Sequence, residues 1–103
     1  MTREVSWSAD AAEDIVGIID YIAADNPVAA RKVLAAIRSA GEGLAFMLTG
    51  RPGRVTGTYE KIVRGLPYII AYAIRPLPAG GEVVAILRVI HGARNWPEEQ
   101  WPE

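Results

Sequence analysis

The chain has 103 residues, half of them hydrophobic and 22% charged, a balance that fits a packed chain with one core and argues against disorder. It holds no cysteine, which removes disulfides and thiolate metal sites and suits a reducing compartment, so a cytoplasmic location is expected. The net charge of -1 conceals an asymmetry: residues 1–50 sum to -3, residues 51–97 to +5 and residues 98–103 to -3, so the basic stretch points to an anionic partner, a nucleic acid or an acidic protein segment.

A single domain over residues 1–103 is expected. Met1-Thr2-Arg3-Glu4 contains no apolar signal core, and no uncharged apolar run approaches the roughly 18 residues of a membrane span. Neither secretion nor membrane insertion is expected.

Arg3 to Trp7 reads as a short opening strand. Ser8 then caps a helix from about Ala9, because its hydroxyl accepts from the free amides of the first turn. Ala12, Ile15, Ile18, Ile19 and Ile22 recur at three and four residue spacing with acids between them, the pattern of an amphipathic helix. Asn26-Pro27 restarts the chain as cap and first helical residue, and the second helix runs to about Leu44. The short connection makes the two helices an antiparallel hairpin. Gly41 and Gly43 weaken the last turns.

From Gly50 the pattern changes to glycine and proline punctuation, followed by strands over Thr58 to Arg64, Tyr68 to Arg75 and Glu82 to Ile90. Short connections make these an antiparallel meander. The expected fold is α+β, with the short N-terminal strand and the helical hairpin packed on one face of a three-stranded antiparallel sheet.

An ion pair between Arg75 and Glu82, if it closes the last hairpin, sets the register. Alternation then puts Tyr68, Ile70, Tyr72, Ile74, Val83, Ala85, Leu87 and Val89 on the core face, with His91 beside Val89. Ile69, Ala71, Ala73, Val84, Ile86 and Arg88 fall on the other face, apolar where a solvated face would be polar. Two covers are open for that face: a docking partner, or the segment from Gly92 to Glu103 with Trp96 and Trp101 folded back over it.

His91 is the sole histidine and the one side chain whose ordinary titration lies near neutrality, and Arg88 is close enough in sequence to steady a phosphate. A histidine ending an apolar strand reads equally as a hydrogen-bonded structural residue. Arg51, Arg54, Lys61 and Arg64 are basic but spread out, with little aromatic interleaving. Gly50-Arg51-Pro52-Gly53-Arg54 lacks the Gly-Lys-Ser/Thr ending of a phosphate-binding loop, so its glycines are read as turn formers. Trp7, Trp96 and Trp101 read either as partner anchors or as packed aromatics.

Trp7-Ser8 leading into the first helix, Tyr21-Ile22, Asn26-Pro27, Gly57-Thr58, Pro67-Tyr68 and Arg88-Val89-Ile90-His91-Gly92 together resemble the ParE/RelE superfamily, the toxin half of bacterial toxin–antitoxin pairs. The family's order of strand, two helices and three strands agrees with the order read above. The resemblance implies one of two activities on one scaffold. RelE-like members are ribonucleases that cut messenger RNA on the ribosome, and ParE-like members poison DNA gyrase.

Many ribonuclease members have arginine as the second residue of the strand that here begins at Tyr68, and this chain has Ile69. An arginine there neutralises charge developing on a phosphate; isoleucine can only pack. The family's catalytic position near the end of the last strand falls around Ile90-His91, and Arg88 matches the last-strand arginine. The expectation is therefore a ParE-like gyrase poison with no catalytic residues, no metal and no cofactor, neutralised by a ParD-like antitoxin whose C-terminal segment orders on Ile69, Ala71, Ala73, Val84, Ile86 and Arg88. The alternative is a ribosome-dependent endoribonuclease using Arg54, Arg88 and His91.

Overall fold

A computed structural model describes residues 3–92. The elements, in chain order, are β1 (Glu4–Trp7), α1 (Ala9–Ala23), α2 (Pro27–Glu42) with a 3₁₀ turn at Gly43–Ala45, β2 (Arg51–Pro52), β3 (Tyr59–Ile62), β4 (Tyr68–Pro76) and β5 (Glu82–His91). The caps form as their chemistry dictates. Ser8 Oγ accepts from Ala11 N at 3.0 Å, and Asn26 Oδ1 accepts from Ala29 N at 3.0 Å with Pro27 opening α2.

The fold is α+β, two helices against a five-stranded, mostly antiparallel sheet of order β1-β5-β4-β3-β2. Two strands enlarge the expected three-stranded sheet. β1 pairs parallel with β5, Glu4 opposite Val83 through Trp7 opposite Ile86. β2 is two residues long and pairs antiparallel with β3. The first was expected as a strand but not as part of this sheet, because pairing with a partner so distant in sequence leaves no local signal; the second, at two residues, is too short for alternation to register.

Tyr72, Ile37, Leu44, Ile70, Ile86, Val63, Val84 and Val89 make the buried centre, with Trp7, Ile15, Ile18 and Val33 packed against it. Gly41 has a reason for being glycine. A Cβ there would overlap the Trp7 ring and lie 2.9 Å from Ile86 Cδ1, so the end of α2 closes onto the β1–β5 junction only because that side chain is missing.

The expected register is corrected in two ways. Pro76, not Arg75, lies opposite Glu82, and Arg75 faces Val83. Glu82 instead takes Arg3, the residue just before β1, Nε to Oε1 at 3.1 Å. In addition, the ladder jumps from Ala71 opposite Arg88 to Tyr72 opposite Ile86, leaving Leu87 as the extra residue of a β-bulge. The parity of β5 therefore reverses along its length. Val84 and Ile86 before the bulge, each 0% exposed, belong to the core, and Val89 after it rejoins them. The expected placement of Val84 and Ile86 on an open outer face does not hold, because both pack in the core cluster with Ile37, Leu44 and Ile70.

On β4 the expected alternation holds: Ile70 and Tyr72 are core, and Ile69, Ala71 and Ala73 alternate with them. Those three are nonetheless buried within the chain, at 6%, 0% and 8% exposure. They present no open apolar face. The proposed cover by Trp96 and Trp101 lies outside the described residues.

Candidate functional site

The bulge sits where the chain leaves β1 for α1. Ser8 N donates to Ile86 O at 2.9 Å and Ser8 Oγ donates to Leu87 O at 2.8 Å, so α1 starts against the outer edge of β5. One and a half turns later Asp14 reaches that edge. Its Oδ2 accepts from Arg88 Nε at 2.8 Å and Val89 N at 2.9 Å, and its Oδ1 accepts from Arg88 Nη2 at 3.0 Å. The carboxylate thus grips the guanidinium as a two-pronged fork and also satisfies a strand amide that β1 no longer covers.

Both side chains are largely shielded, 26% exposed for Arg88 and 17% for Asp14. The hydrogen bond to Asp14 raises the Arg88 pKa above its ordinary value; burial works against it, and the neighbouring Asp14, Asp10 and Glu13 charges add to the rise. Arg88 is a fixed cation.

Beyond this pair, α1 and the end of β5 diverge and leave an open cleft of about 680 Å³. One wall is the α1 stripe Glu13, Gly17 and Tyr21, four residues apart and hence on one helix face. The other carries Tyr68, Ile90 and His91, and the Arg88–Asp14 pair lines the cleft as well. His91 lies opposite Tyr68 in the ladder, with the two rings edge to face at 5.7 Å between centroids. Tyr21 is 82% exposed, and a Cβ at Gly17 would meet nothing within 4 Å.

Of the three residues expected for a ribonuclease, Arg88 and His91 line this cleft and Arg54 does not. Arg54 belongs to the hairpin between β2 and β3, where its Nε lies 3.7 Å from Glu60 Oε2. Among the described residues no group of three or more His, Asp or Glu side chains is placed to hold a metal ion. No helix among them is long and apolar enough to cross a membrane.

Reasoning from sequence missed Asp14 and Glu60, the two acids that hold the arginines. A partial signal existed, since an arginine on an apolar strand requires an anion, and α1 offers Asp10, Glu13 and Asp14. Choosing among those three needs the bulge.

A helical hairpin on a mostly antiparallel sheet, with an arginine and a histidine closing the last strand against α1, defines the two-layer scaffold of the ParE/RelE toxins. Solved structures agree. A chain of a chromosomal ParDE toxin–antitoxin system from P. aeruginosa superposes with a TM-score of 0.77 over 87% of this chain and 96% of that one, at 22% identity, a level that speaks to fold. A chain of the toxin–antitoxin complex RelBE2 from Mycobacterium tuberculosis superposes at 0.61, with 25% identity over 88% of this chain and 99% of that one.

The model of the ParE toxin of the type II toxin–antitoxin system parDE matches residues 5–96, and the chain belongs to that family. Among its relatives are the putative toxin Y4kP of Sinorhizobium fredii, 36% identical over 93% of this chain and 95% of that protein, and toxin RelE2 of Caulobacter vibrioides, 34% identical over 88% and 97%. The chain is a type II toxin of the ParE/RelE family.

Proposed function

We propose that this toxin arrests growth by acting on DNA gyrase and is neutralised by direct binding of a ParD-like antitoxin. The observation that carries the first part is the Arg88–Asp14 fork. A ribonuclease needs cations converging on the scissile phosphate. Here Arg88 is gripped by Asp14, Arg54 lies on Glu60 outside the cleft, and the strand position that carries arginine in ribonuclease members is the buried Ile69. The rival, a ribosome-dependent endoribonuclease, draws support from Arg88 and His91 lining one cleft.

For the antitoxin, Arg88 stays in the proposed contact set, and the buried residues of the sheet give way to the cleft beside α1. Exposed Tyr21 and the unfilled space over Gly17 favour that surface, because a glycine inside a helix weakens it by about 1 kcal/mol relative to alanine and nothing within this chain packs close enough to require one there.

The test is induction of the toxin without antitoxin, followed by assays of gyrase-dependent DNA breaks and messenger RNA cleavage in the same cells. Breaks with intact messages are the expected result; prompt message cleavage without breaks would overturn the gyrase reading. Co-expressed antitoxin should restore growth, and Tyr21→Ala should weaken that rescue. Full rescue of the variant would remove the cleft from the antitoxin interface.

A further inference from the structure

The charges along α1 are all of one sign. The helix carries Asp10, Glu13, Asp14 and Asp20 and contains neither lysine nor arginine. Asp14 is held by Arg88, whereas among the described residues Asp10, Glu13 and Asp20 make no ion pair. Asp10, Glu13, Gly17 and Asp20 recur at steps of three and four, so they share one helix face, and that face walls the cleft at Glu13 and Gly17. The field of Asp10 and Glu13 reaches Arg88 on the other side, whose pKa it helps to raise after the hydrogen bond to Asp14.

The wall has a gap between two kinds of chemistry. Glu13 lies one turn before Gly17 and Tyr21 one turn after it, and a Cβ built on Gly17 meets nothing within 4 Å beyond its own helix. An incoming chain can therefore lie against the α1 backbone, with a carboxylate on one side and the exposed Tyr21 ring on the other. Ile18 adds apolar surface, and the opposite wall carries the Tyr68 ring. Apolar surface, two aromatic rings and an unpaired carboxylate together match a long side chain with an apolar stem and a flat cationic head.

We propose that the cleft is a receptor for an arginine side chain presented by the antitoxin, an inference that rests on the reading of this cleft as the antitoxin surface. The methylene stem lies along Gly17 and Ile18, and the guanidinium takes the Glu13 carboxylate and the face of Tyr21. Arginine suits the site better than lysine because its planar fork pairs with a carboxylate and stacks on an aromatic ring at once. Charge selects the sign of the partner. An acidic side chain would meet the acid row of α1, with Arg88 already neutralised by Asp14. A purely apolar one would strip water from Glu13 and give it no partner in return. Although residues 51–97 sum to +5, the side of the molecule built by α1 selects a cation.

The measurement is a proton–nitrogen NMR titration of the purified full chain with Nα-acetylarginine methylamide, beside the citrulline and glutamate analogues, which keep the backbone and change the charge. Saturable shifts of the Gly17 amide are expected with the arginine probe and only marginal ones with the other two, and raising the salt should weaken the binding. Glu13→Gln should weaken the arginine probe about three-fold, whereas Glu42→Gln at the end of α2 should leave it unchanged. Both residues are exposed, so both variants should fold. Binding of the probe together with weakened antitoxin rescue of Tyr21→Ala supports the proposal. Absent or salt-independent shifts, equal binding of the citrulline probe, or a Glu13→Gln variant equal to the parent would overturn the receptor, even where Tyr21→Ala weakens rescue and keeps the antitoxin at the cleft. Probe binding at Gly17 beside full rescue of Tyr21→Ala would keep the receptor and overturn the antitoxin as the source of the arginine.

Discussion

The two ends of the sheet solve the same electrostatic problem differently. At the β5 edge Asp14 meets Arg88 across 74 residues of sequence through two hydrogen bonds of 2.8 and 3.0 Å, and takes a third from Val89 N at 2.9 Å. At the β2 edge Glu60 meets Arg51 and Arg54 across nine residues or fewer, at 3.1 to 3.7 Å. The first pair fastens a helix to a sheet, and both partners are shielded. The second lies within one hairpin; its acid is buried and its bases face solvent. A long-range, well-aligned pair joins two elements of the fold, whereas the local, looser set stays within one hairpin.

Asp14→Ala should break the first arrangement most severely. It strands the Arg88 guanidinium and the Val89 amide together, and urea unfolding should show a loss of about 2–3 kcal/mol, below the full cost of breaking a buried pair because some solvent reaches it. A loss under about 1 kcal/mol would mean that the pair behaves as an ordinary surface bridge.

Glu60→Gln should cost about 1 kcal/mol in the same assay, since the amide still accepts from Arg54 N and the Arg51 side chain, 59% exposed, is already largely solvated. If it equalled or exceeded the Asp14→Ala loss, the contrast between the two ends of the sheet would fail.

The smallest effect concerns Tyr72, whose hydroxyl donates to Thr49 O at 2.6 Å close to the second end. Burial, and secondarily the nearby Tyr59, raises its pKa above the ordinary 10.0. The folded state therefore holds the phenolic proton more tightly than the unfolded state, so stability is level below pH 10.0 and declines as pH rises above it towards the folded value. Tyr72→Phe should lose about 0.5–1 kcal/mol at neutral pH and show a shallower decline above pH 10, read from thermal melts over an alkaline series. An unchanged alkaline slope would assign the decline to other groups.

The sequence carried the order of elements because their signals are local. Ser8 and Asn26-Pro27 mark the helix starts through groups three residues away, and the long strands carry enough alternation to be seen. What escaped was set at a distance. The attractive pairing of Arg75 with Glu82 fails because Arg3, far away in sequence, supplies the cation. The bulge at Leu87 lies where Ser8 binds two successive carbonyls of β5, a long-range contact that alternation within β5 cannot reveal. That single extra residue moved Val84 and Ile86 from an imagined surface into the core. The family resemblance recovered the scaffold, whereas Asp14 and Glu60, which decide what the arginines are free to do, became visible only in three dimensions.

The parallel pairing of β1 with β5 also bears on when the toxin becomes a toxin. The hydrogen-bonding partner of β1 is synthesised nearly eighty residues after it, with Ser8 and Leu87 79 apart. At ordinary elongation rates that gap lasts on the order of ten seconds. During it β1 has no strand to join, Trp7 cannot close over Gly41 against Ile86, and Asp14 has no arginine to grip. The sheet is thereby completed only after β5 has been made, so the scaffold that carries the Arg88–Asp14 cleft is assembled late in synthesis rather than element by element.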